Sequence, residues 1–163
     1  MVNKNVSIKS SKTKILLVQS SKVNAINPEA SQPLGLMYLA SALRKWANVA
    51  VNIIDLRVED ETLRERLERF RPDIVGISGF TQNAKIIQNS AETVRSFKNS
   101  TPVIIGGPHA TAYWDDMLLD KNIDIIVRGE GEITILELVN ALGSGSELTQ
   151  IKGLALRKNS SAY

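Results

Sequence analysis

His109 is the single histidine of the chain and lies in the stretch PVIIGGPHATAYWDD, next to Gly106 and Gly107. An imidazole at this position can bind a metal ion or transfer a proton. The glycines offer a different chemistry, because a backbone without Cβ atoms lets a ligand contact the main chain directly. We favour the second interpretation, in which His109 is a loop residue that hydrogen-bonds to backbone or ligand amides. Side-chain bulk at Gly106 or Gly107 is then expected to block the ligand without disturbing the fold.

Two further segments of similar character follow aliphatic runs, GFTQ at residues 79–82 and RGEGE at residues 128–132. They supply hydroxyl groups and exposed backbone but few cations. Glu130 and Glu132 could accept hydrogen bonds from amide N–H groups and would repel phosphate, although acids at a helix N-terminus are stabilising without any ligand. Three such loops together favour a large, flat, amide-rich ligand.

The elements that must position these loops alternate along the chain. Aliphatic runs typical of buried strands cover residues 14–19, 49–55, 73–78, 102–107 and 123–129. Apolar residues at helical spacing fill the intervals, and Trp46 and Phe70, which end two such stripes, are expected in the core. Five β-α units predict an α/β fold: a doubly wound, parallel, five-stranded sheet, Rossmann-like or flavodoxin-like, with strand order 2-1-3-4-5 and helices on both faces. The segment 151–159 is either a sixth strand or an exit segment.

The loops after the strands decide among the usual ligands of such a sheet, because ligands bind beyond the carboxyl ends of its strands. The P-loop motif, the GxGxxG dinucleotide motif in its strand–helix context and the phosphoacceptor aspartate of receiver domains are all missing. A flavodoxin would hold the FMN phosphate in a tight turn entering the first helix, whereas this chain has a long loop over residues 20–32. An FMN-binding flavodoxin-like domain stays open as an alternative.

The composition of the chain excludes further kinds of site and makes some kinds of partner less favoured. With 163 residues the chain fits one domain, and without cysteine it has no disulfide, thiolate zinc site or cysteine-held iron–sulfur cluster. The pI of 9.2 reflects five lysines and no acid in residues 1–28, which leaves 15 basic and 17 acidic residues elsewhere, so nucleic acid is not favoured. Residues 1–13 are expected to form a disordered basic tail. Neither a signal peptide nor a membrane span is evident, so we expect no membrane partner and a cytoplasmic location.

A family resemblance rests on four blocks in register: QPLGLMYLASALRK (32–45), PDIVGISGFT (72–81), VIIGGPHAT (103–111) and IDIIVRGEGEITILELVNAL (123–142). Together they resemble the cobalamin-binding domain of cobalamin-dependent radical SAM (S-adenosylmethionine) enzymes. The resemblance assigns residues 14–157 to this domain. Residues 158–163 resemble an exit segment toward a radical SAM domain that this sequence lacks.

The resemblance implies cobalamin as the cofactor, bound base-off with its nucleotide tail alongside the sheet. It implies contacts from the loop before the first helix and from the glycine loops, namely Pro33, Leu34, Gly35, Ser78, Gly79, Phe80, Thr81, Gly106, Gly107, Pro108, His109, Arg128, Gly129, Glu130 and Gly131. Methionine synthase and the mutases carry a cobalt-binding histidine after strand one, whereas this chain has none there. We therefore expect no residue of this chain to bind the metal.

The resemblance also implies a larger enzyme. The cluster motif CxxxCxxC is missing, so a [4Fe-4S] cluster and SAM are expected only in the absent radical SAM domain, which would act in cis or in trans. The chain is then expected to have no catalytic residue and to catalyse nothing alone, as the N-terminal part of an enzyme that typically transfers methyl groups. A different class stays open, an interaction module that has lost its cofactor.

Overall fold

The computed structural model describes residues 12–20, 31–158 and 161–162, so most of the expected tail at 1–13 lies outside it. Within these ranges seven strands form one sheet: β1 (Thr13–Gln19), β2 (Val49–Asp55), β3 (Ile74–Ser78), β4 (Val103–Gly106), β5 (Ile125–Val127), β6 (Leu154–Lys158) and β7 (Ser161–Ala162). The helices are α1 (Leu34–Trp46), α2 (Leu63–Phe70), α3 (Ala84–Phe97), α4 (Pro108–Ala112), α5 (Trp114–Met117) and α6 (Glu132–Ser144).

The first five strands are parallel and lie in the order β2-β1-β3-β4-β5. The predicted fold class, a doubly wound α/β sheet, is thereby confirmed. The predicted number of strands is wrong, because β6 pairs antiparallel with β5 and β7 pairs antiparallel with β6. Leu154 of β6 opposes Val127 of β5, so β6 covers a strand edge that a five-stranded sheet would have left open.

Two apolar cores lie on the two faces of the sheet. The core of the first face, which we call the α1/α6 face, includes Leu36 and Leu138. The core of the second, the α2/α3 face, includes Ile87. Strand β1 serves both, because successive side chains point to opposite faces, with Leu17 in the first core and Leu16 in the second. Burial on both faces explains why the parallel strands are continuously aliphatic.

Local sequence signals explain several helix ends. The Thr62 hydroxyl accepts a hydrogen bond from the Glu65 amide, and the Glu65 carboxylate accepts one from the Thr62 amide, so a capping box starts α2. Pro33 immediately precedes α1, where its fixed φ is tolerated. Gly145, in the left-handed conformation with a φ of 71°, ends α6.

Strand β2 is the outer strand on the side of the sheet opposite β7. Arg44 of α1 donates a hydrogen bond from Nη2 to the Val51 carbonyl oxygen over 3.0 Å. Arg66 of α2 donates one from Nη1 to the Ile53 carbonyl oxygen, also over 3.0 Å. Because α1 and α2 cover opposite faces, guanidinium groups reach this strand from both sides of the sheet.

The structure contradicts two expectations about single residues. Trp46 was expected in the core but is 66% exposed, because it lies beside the buried stripe in the last turn of α1, and the Lys45 ammonium lies 4.7 Å from its ring centroid. His109 was expected in a loop but lies in α4, because Pro108 occupies the first turn and favours a helix start there. Phe70 packs, partly buried, against the core of the α2/α3 face as predicted.

Candidate functional site

A groove opens at the carboxyl edge of the sheet, on the α1/α6 face. Its volume is about 600 Å³, which is typical of a small-molecule site. Its walls are the first turns of α1 and α6, and its floor is formed by β1, β3 and β4. It is lined by Leu17, Gln19, Ser31, Gln32, Pro33, Leu34, Gly35, Leu36, Leu39, Arg57, Gly76, Ile77, Ser78, Phe80, Ile104, Gly106, Gly107, Pro108, Thr111, Ala112, Val127, Gly129, Glu130, Gly131, Glu132 and Ile135.

The floor of the groove consists of two rows of residues that neighbouring strands place side by side. The edge row contains the last residues of β1, β3 and β4, which are Gln19, Ser78 and Gly106. The inner row lies two residues earlier on each strand, about 7 Å deeper, and contains Leu17, Gly76 and Ile104. Residues two positions apart on a strand point to the same face, so both rows face the groove. The groove is therefore polar at its mouth and apolar inside.

Most of the residues expected to contact a ligand line this groove, namely Pro33, Leu34, Gly35, Ser78, Phe80, Gly106, Gly107, Pro108, Gly129, Glu130 and Gly131. The other four, Gly79, Thr81, His109 and Arg128, are not part of its lining. Thr81 starts a short 3-10 turn, and the Arg128 guanidinium lies 5.0 Å from the ring centroid of Trp114. The structure thus brings the predicted loops together at one site. That these residues bind the cofactor stays a prediction.

Two glycines of the groove face open space. Among the residues that the structure describes, a Cβ added at Gly35 would meet no atom within 4 Å. Among the same residues, a Cβ added at Gly106 would meet only the carbonyl oxygen and Cβ of Val127, at 3.7 and 3.9 Å, which are ordinary contacts. Neither glycine is required by the surrounding protein, so the space in front of both is available to a ligand.

Two other glycines at this edge are required by the fold itself. A Cβ at Gly79 would lie 2.7 Å from the Ser20 carbonyl oxygen. Gly107 has a φ of 91°, which other residues rarely adopt, and its Cβ would lie 2.6 Å from the Ser78 hydroxyl oxygen. A side chain at Gly107 would therefore destabilise the fold itself, with or without a ligand.

His109 is buried and is not part of the groove lining. Its side chain lies in α4, beside buried Ala110, and its ring centroid is 5.2 Å from that of Tyr113. Within the part of the chain that the structure describes, Nδ1 of His109 has no hydrogen-bond partner. The expected hydrogen bond to backbone is thus not made by Nδ1. Because the residue is outside the groove lining, we expect no contact between its imidazole and a ligand held in the groove.

Arg57, which the sequence did not single out, lines the groove after β2. Its guanidinium donates two hydrogen bonds to Asp55, over 2.8 and 2.6 Å, and one to the Ser31 carbonyl oxygen over 2.6 Å. Burial alone would raise the pKa of Asp55, but the hydrogen bonds from Arg57 outweigh it, so the pKa is lowered. The pair ties the end of β2 to the segment before α1. The sequence did contain a signal for this site residue, because Arg57 is a cation in the loop after a predicted strand.

Thr111 also lines the groove and was not predicted as a site residue. Its hydroxyl oxygen accepts a hydrogen bond from the Gly129 amide over 3.0 Å. This bond joins α4 to the glycine loop after β5. Gly129 has a φ of 72°, so the loop turns there in a conformation that glycine adopts without strain. Nothing in the sequence indicates this pairing, because the two residues are distant in the chain.

The chemistry of the lining fits a large ligand rather than a bare ion. Among residues 12–20, 31–158 and 161–162, no group of three or more His, Cys, Asp or Glu side chains could hold a metal ion. The apolar inner row suits the flat base at the end of a cobalamin nucleotide tail, and the hydroxyl and amide groups of the edge row suit its polar part.

Among residues 12–20, 31–158 and 161–162, no helix has both the length and the apolar character needed to cross a bilayer.

Comparisons with known proteins agree with this fit. The chain is 38% identical over 154 residues to an uncharacterized methyltransferase of Pyrococcus horikoshii, covering 90% of this chain and 33% of that protein. In fold it resembles TsrM, a radical SAM methyltransferase of Kitasatospora setae solved with cobalamin and a [4Fe-4S] cluster (TM-score 0.76, 22% identity, 93% of this chain and 28% of TsrM). It also resembles the cobalamin-dependent SAM radical enzyme OxsB with aqua-cobalamin and SAM (TM-score 0.80, 21% identity, 93% and 22%).

The family model of the B12 binding domain matches residues 27–139. This range contains β2 to β5, both walls of the groove and all three glycine loops. The chain spans about a third of the length of its Pyrococcus relative. This match favours cobalamin over FMN as the ligand of the groove. Because the match covers more than half of the chain, the chain belongs to the B12 binding domain family.

Proposed function

We propose that this chain is the cobalamin-carrying part of a larger radical SAM enzyme that transfers methyl groups. The observation that carries the proposal is the two-row groove at the carboxyl edge, whose lining lies within the B12 binding domain match except for Leu17 and Gln19 of β1. Cobalamin, when bound, supplies a cobalt centre that can carry a methyl group. The methyltransferase name of the Pyrococcus relative and of TsrM supports methyl transfer as the reaction of the whole protein.

In this proposal the chain contributes binding and orientation. Gly35 and Gly106 leave space for close approach of the cofactor to the backbone, and Ser78 supplies a hydroxyl group at the edge row. The Arg57–Asp55 pair holds the segment before α1 next to the groove, where Pro33 and Leu34 form one wall. These groups fix the cofactor in place and leave the chemistry to another domain.

We also propose that cobalt receives no nitrogen ligand from this chain. His109 is the only histidine, and it is buried outside the groove lining. Reduction of the loaded protein to the Co(II) form should therefore give an electron paramagnetic resonance spectrum without nitrogen superhyperfine splitting. A nitrogen splitting that disappears in His109→Ala would contradict this.

The partner that we propose is a radical SAM domain, in cis or in trans. Large apolar side chains are exposed in and next to the lining of the groove. Leu34 and Phe80 line it, Tyr38 lies one turn after Leu34 in α1, and Ile133 follows the lining residue Glu132 in α6. Exposed apolar residues grouped in this way are typical of a surface that another protein surface covers. A second domain over the groove would also exclude water from the cofactor.

Cofactor binding is tested by incubating the purified chain with hydroxocobalamin and removing free cofactor by desalting. We expect a coloured protein with one cobalamin per chain, and a Gly106→Val control that elutes colourless while its circular dichroism stays native. A colourless wild-type protein that is folded would overturn the proposal and favour the interaction module instead.

The division of labour is tested separately. The loaded chain, given SAM and a reductant, should not methylate any acceptor, because the chain has no cysteine to hold an iron–sulfur cluster. Methyl transfer by this chain alone would contradict that part of the proposal. We also propose that the whole enzyme is cytoplasmic.

A further inference from the structure

We propose that Gly76 makes the groove selective for corrinoids whose lower base is an apolar benzimidazole rather than a purine. The inference rests on the proposed function, in which the nucleotide tail enters this groove. It goes beyond that function by naming the residue and the class of tail.

Gly76 creates a gap in the inner row. It lies in the middle of β3, with Leu17 of β1 and Ile104 of β4 as its register partners on either side. Strands are about 4.8 Å apart, so two strand spacings, or roughly 10 Å, separate the backbones of the two flanking residues. A glycine inside a strand costs stability and often marks close approach of a ligand. The gap is thus a strip of strand backbone between two aliphatic side chains, and Cδ2 of Leu17 leans over it.

The surroundings of this gap are apolar. Besides its two flanking residues, the buried side chains of Leu36, Val127 and Ile135 line the groove. The polar lining residues lie at strand ends or in the segments beyond them. A group that reaches the level of Gly76 therefore leaves the polar edge row behind it.

Apolar surroundings distinguish the two kinds of base. A dimethylbenzimidazole presents a hydrocarbon edge to the inner row. Its one free ring nitrogen is in the ring that carries the ribose, at the end of the base nearer the edge row, where the Ser78 hydroxyl can donate a hydrogen bond. An adenine adds an amino group and further ring nitrogens, and in an apolar slot these lose their hydrogen bonds to water. The loss of one or two such bonds corresponds to roughly a 10- to 100-fold weaker affinity.

The shape of the gap also depends on Gly76. A Cβ added there would lie 3.0 Å from Cδ2 of Leu17, the mobile end of a side chain that already leans over the glycine. The Gly76→Ala variant can fold by moving this methyl group, but the moved group and the new one both narrow the slot. We expect this variant to weaken binding of the tail and to leave the rest of the corrinoid unaffected.

The experiment compares three aquo-corrinoids by titration of the wild-type chain: cobalamin, its adenine-bearing analogue pseudocobalamin, and cobinamide, which has no nucleotide tail. We expect cobalamin to bind most tightly, with pseudocobalamin 10- to 100-fold weaker. Equal or tighter binding of pseudocobalamin would overturn the selectivity but leave cobalamin binding intact. Failure of all three to bind a folded chain would overturn the proposed function and the selectivity together.

The same titrations with Gly76→Ala connect the selectivity to this residue. We expect about tenfold weaker cobalamin binding, unchanged cobinamide binding and a native circular dichroism spectrum. An equal loss for cobalamin and cobinamide, or no loss for either, would overturn the role of Gly76. Should the variant not fold, the wild-type series with the three corrinoids decides on the selectivity alone.

Discussion

The carboxyl edge of the sheet is open on one face and filled on the other. On the α1/α6 face, two helices leave a groove of about 600 Å³ above the strand ends. On the α2/α3 face the corresponding space is packed, with Ile87 fully buried and Ser20 and Ser90 joined through their hydroxyl groups over 2.7 Å. One sheet edge thus carries a binding surface and a structural surface that differ in packing rather than in backbone pattern.

The glycines of this edge illustrate the difference. Gly35 and Gly106 face the open groove, and the protein around them would accept a side chain. Gly79 and Gly107 are enclosed by the protein or strained by their conformation, so the fold requires them. A glycine next to a ligand site is therefore not always there for the ligand, and single substitutions can separate the two kinds.

The largest effect is expected from Gly107→Val. A φ of 91° is unfavourable for a β-branched residue, and the new Cβ also lies against the Ser78 hydroxyl. We expect the free energy of unfolding to fall by about 2–5 kcal/mol, measured by urea denaturation of the cofactor-free chain. A variant that unfolds at the wild-type urea concentration would place Gly107 with the glycines that serve the ligand.

The matched change one residue earlier, Gly106→Val, should act on binding instead. The surrounding protein leaves space for the Cβ, so we expect stability within about 0.5 kcal/mol of the wild type. Cobalamin affinity should fall by about 100-fold, or ~2.7 kcal/mol, because the side chain occupies the groove. Equilibrium titration measures this, and undiminished affinity would mean that the cofactor does not approach the edge row.

His109→Ala tests a buried residue outside the groove lining. Removing a buried side chain should lower the free energy of unfolding by about 1–2 kcal/mol, because a cavity is left beside Ala110. Cobalamin affinity and the cobalt absorption spectrum should both stay unchanged, since the imidazole is outside the groove lining. A shifted spectrum would show that the imidazole reaches the metal, and His109 would then belong to the binding site.

The smallest effect is expected from Gly35→Ala at the start of α1. Alanine is a better helix former than glycine, and its Cβ would meet no atom of the described residues within 4 Å, so stability should rise by about 0.5–1 kcal/mol. If the cofactor fills the space in front of this residue, affinity should fall several-fold at the same time. Thermal melting and titration of one preparation measure both, and a gain in affinity would exclude close approach at this position.

The sequence predicted the order of the parallel strands, and most of the residues that it singled out for binding line the groove. It could do so because aliphatic strands and helical stripes have a strong periodicity, and because parallel strands bring the loops after them to one edge. Ser78 and Gly106, predicted separately as members of two loops, are direct register partners. The added strand β6 was foreseen only as one of two alternatives, since a short aliphatic run at the end of the chain does not reveal its direction.

Other features depend on contacts that no local pattern contains. The helix of His109 turns its imidazole into the interior, which a single histidine after two glycines does not indicate. The gap at Gly76 becomes visible only when the register shows which residues flank it. The role of Arg57 depends on Ser31, a residue 26 positions away that only the folded chain places beside it.

The hydrogen bonds from Arg44 and Arg66 to strand β2 have a consequence for how this protein behaves in a crowded solution. An outer strand with free carbonyl groups is a template onto which a second chain can add, and repeated addition leads to fibres. The carbonyl oxygens of Val51 and Ile53 already accept hydrogen bonds from arginine side chains. A second chain adding to β2 would therefore have to displace two guanidinium groups. Growth of the sheet by addition at β2 is thereby opposed. The surface that we propose for association is instead the group of apolar residues around the groove, which suits a folded partner rather than an unfolded strand.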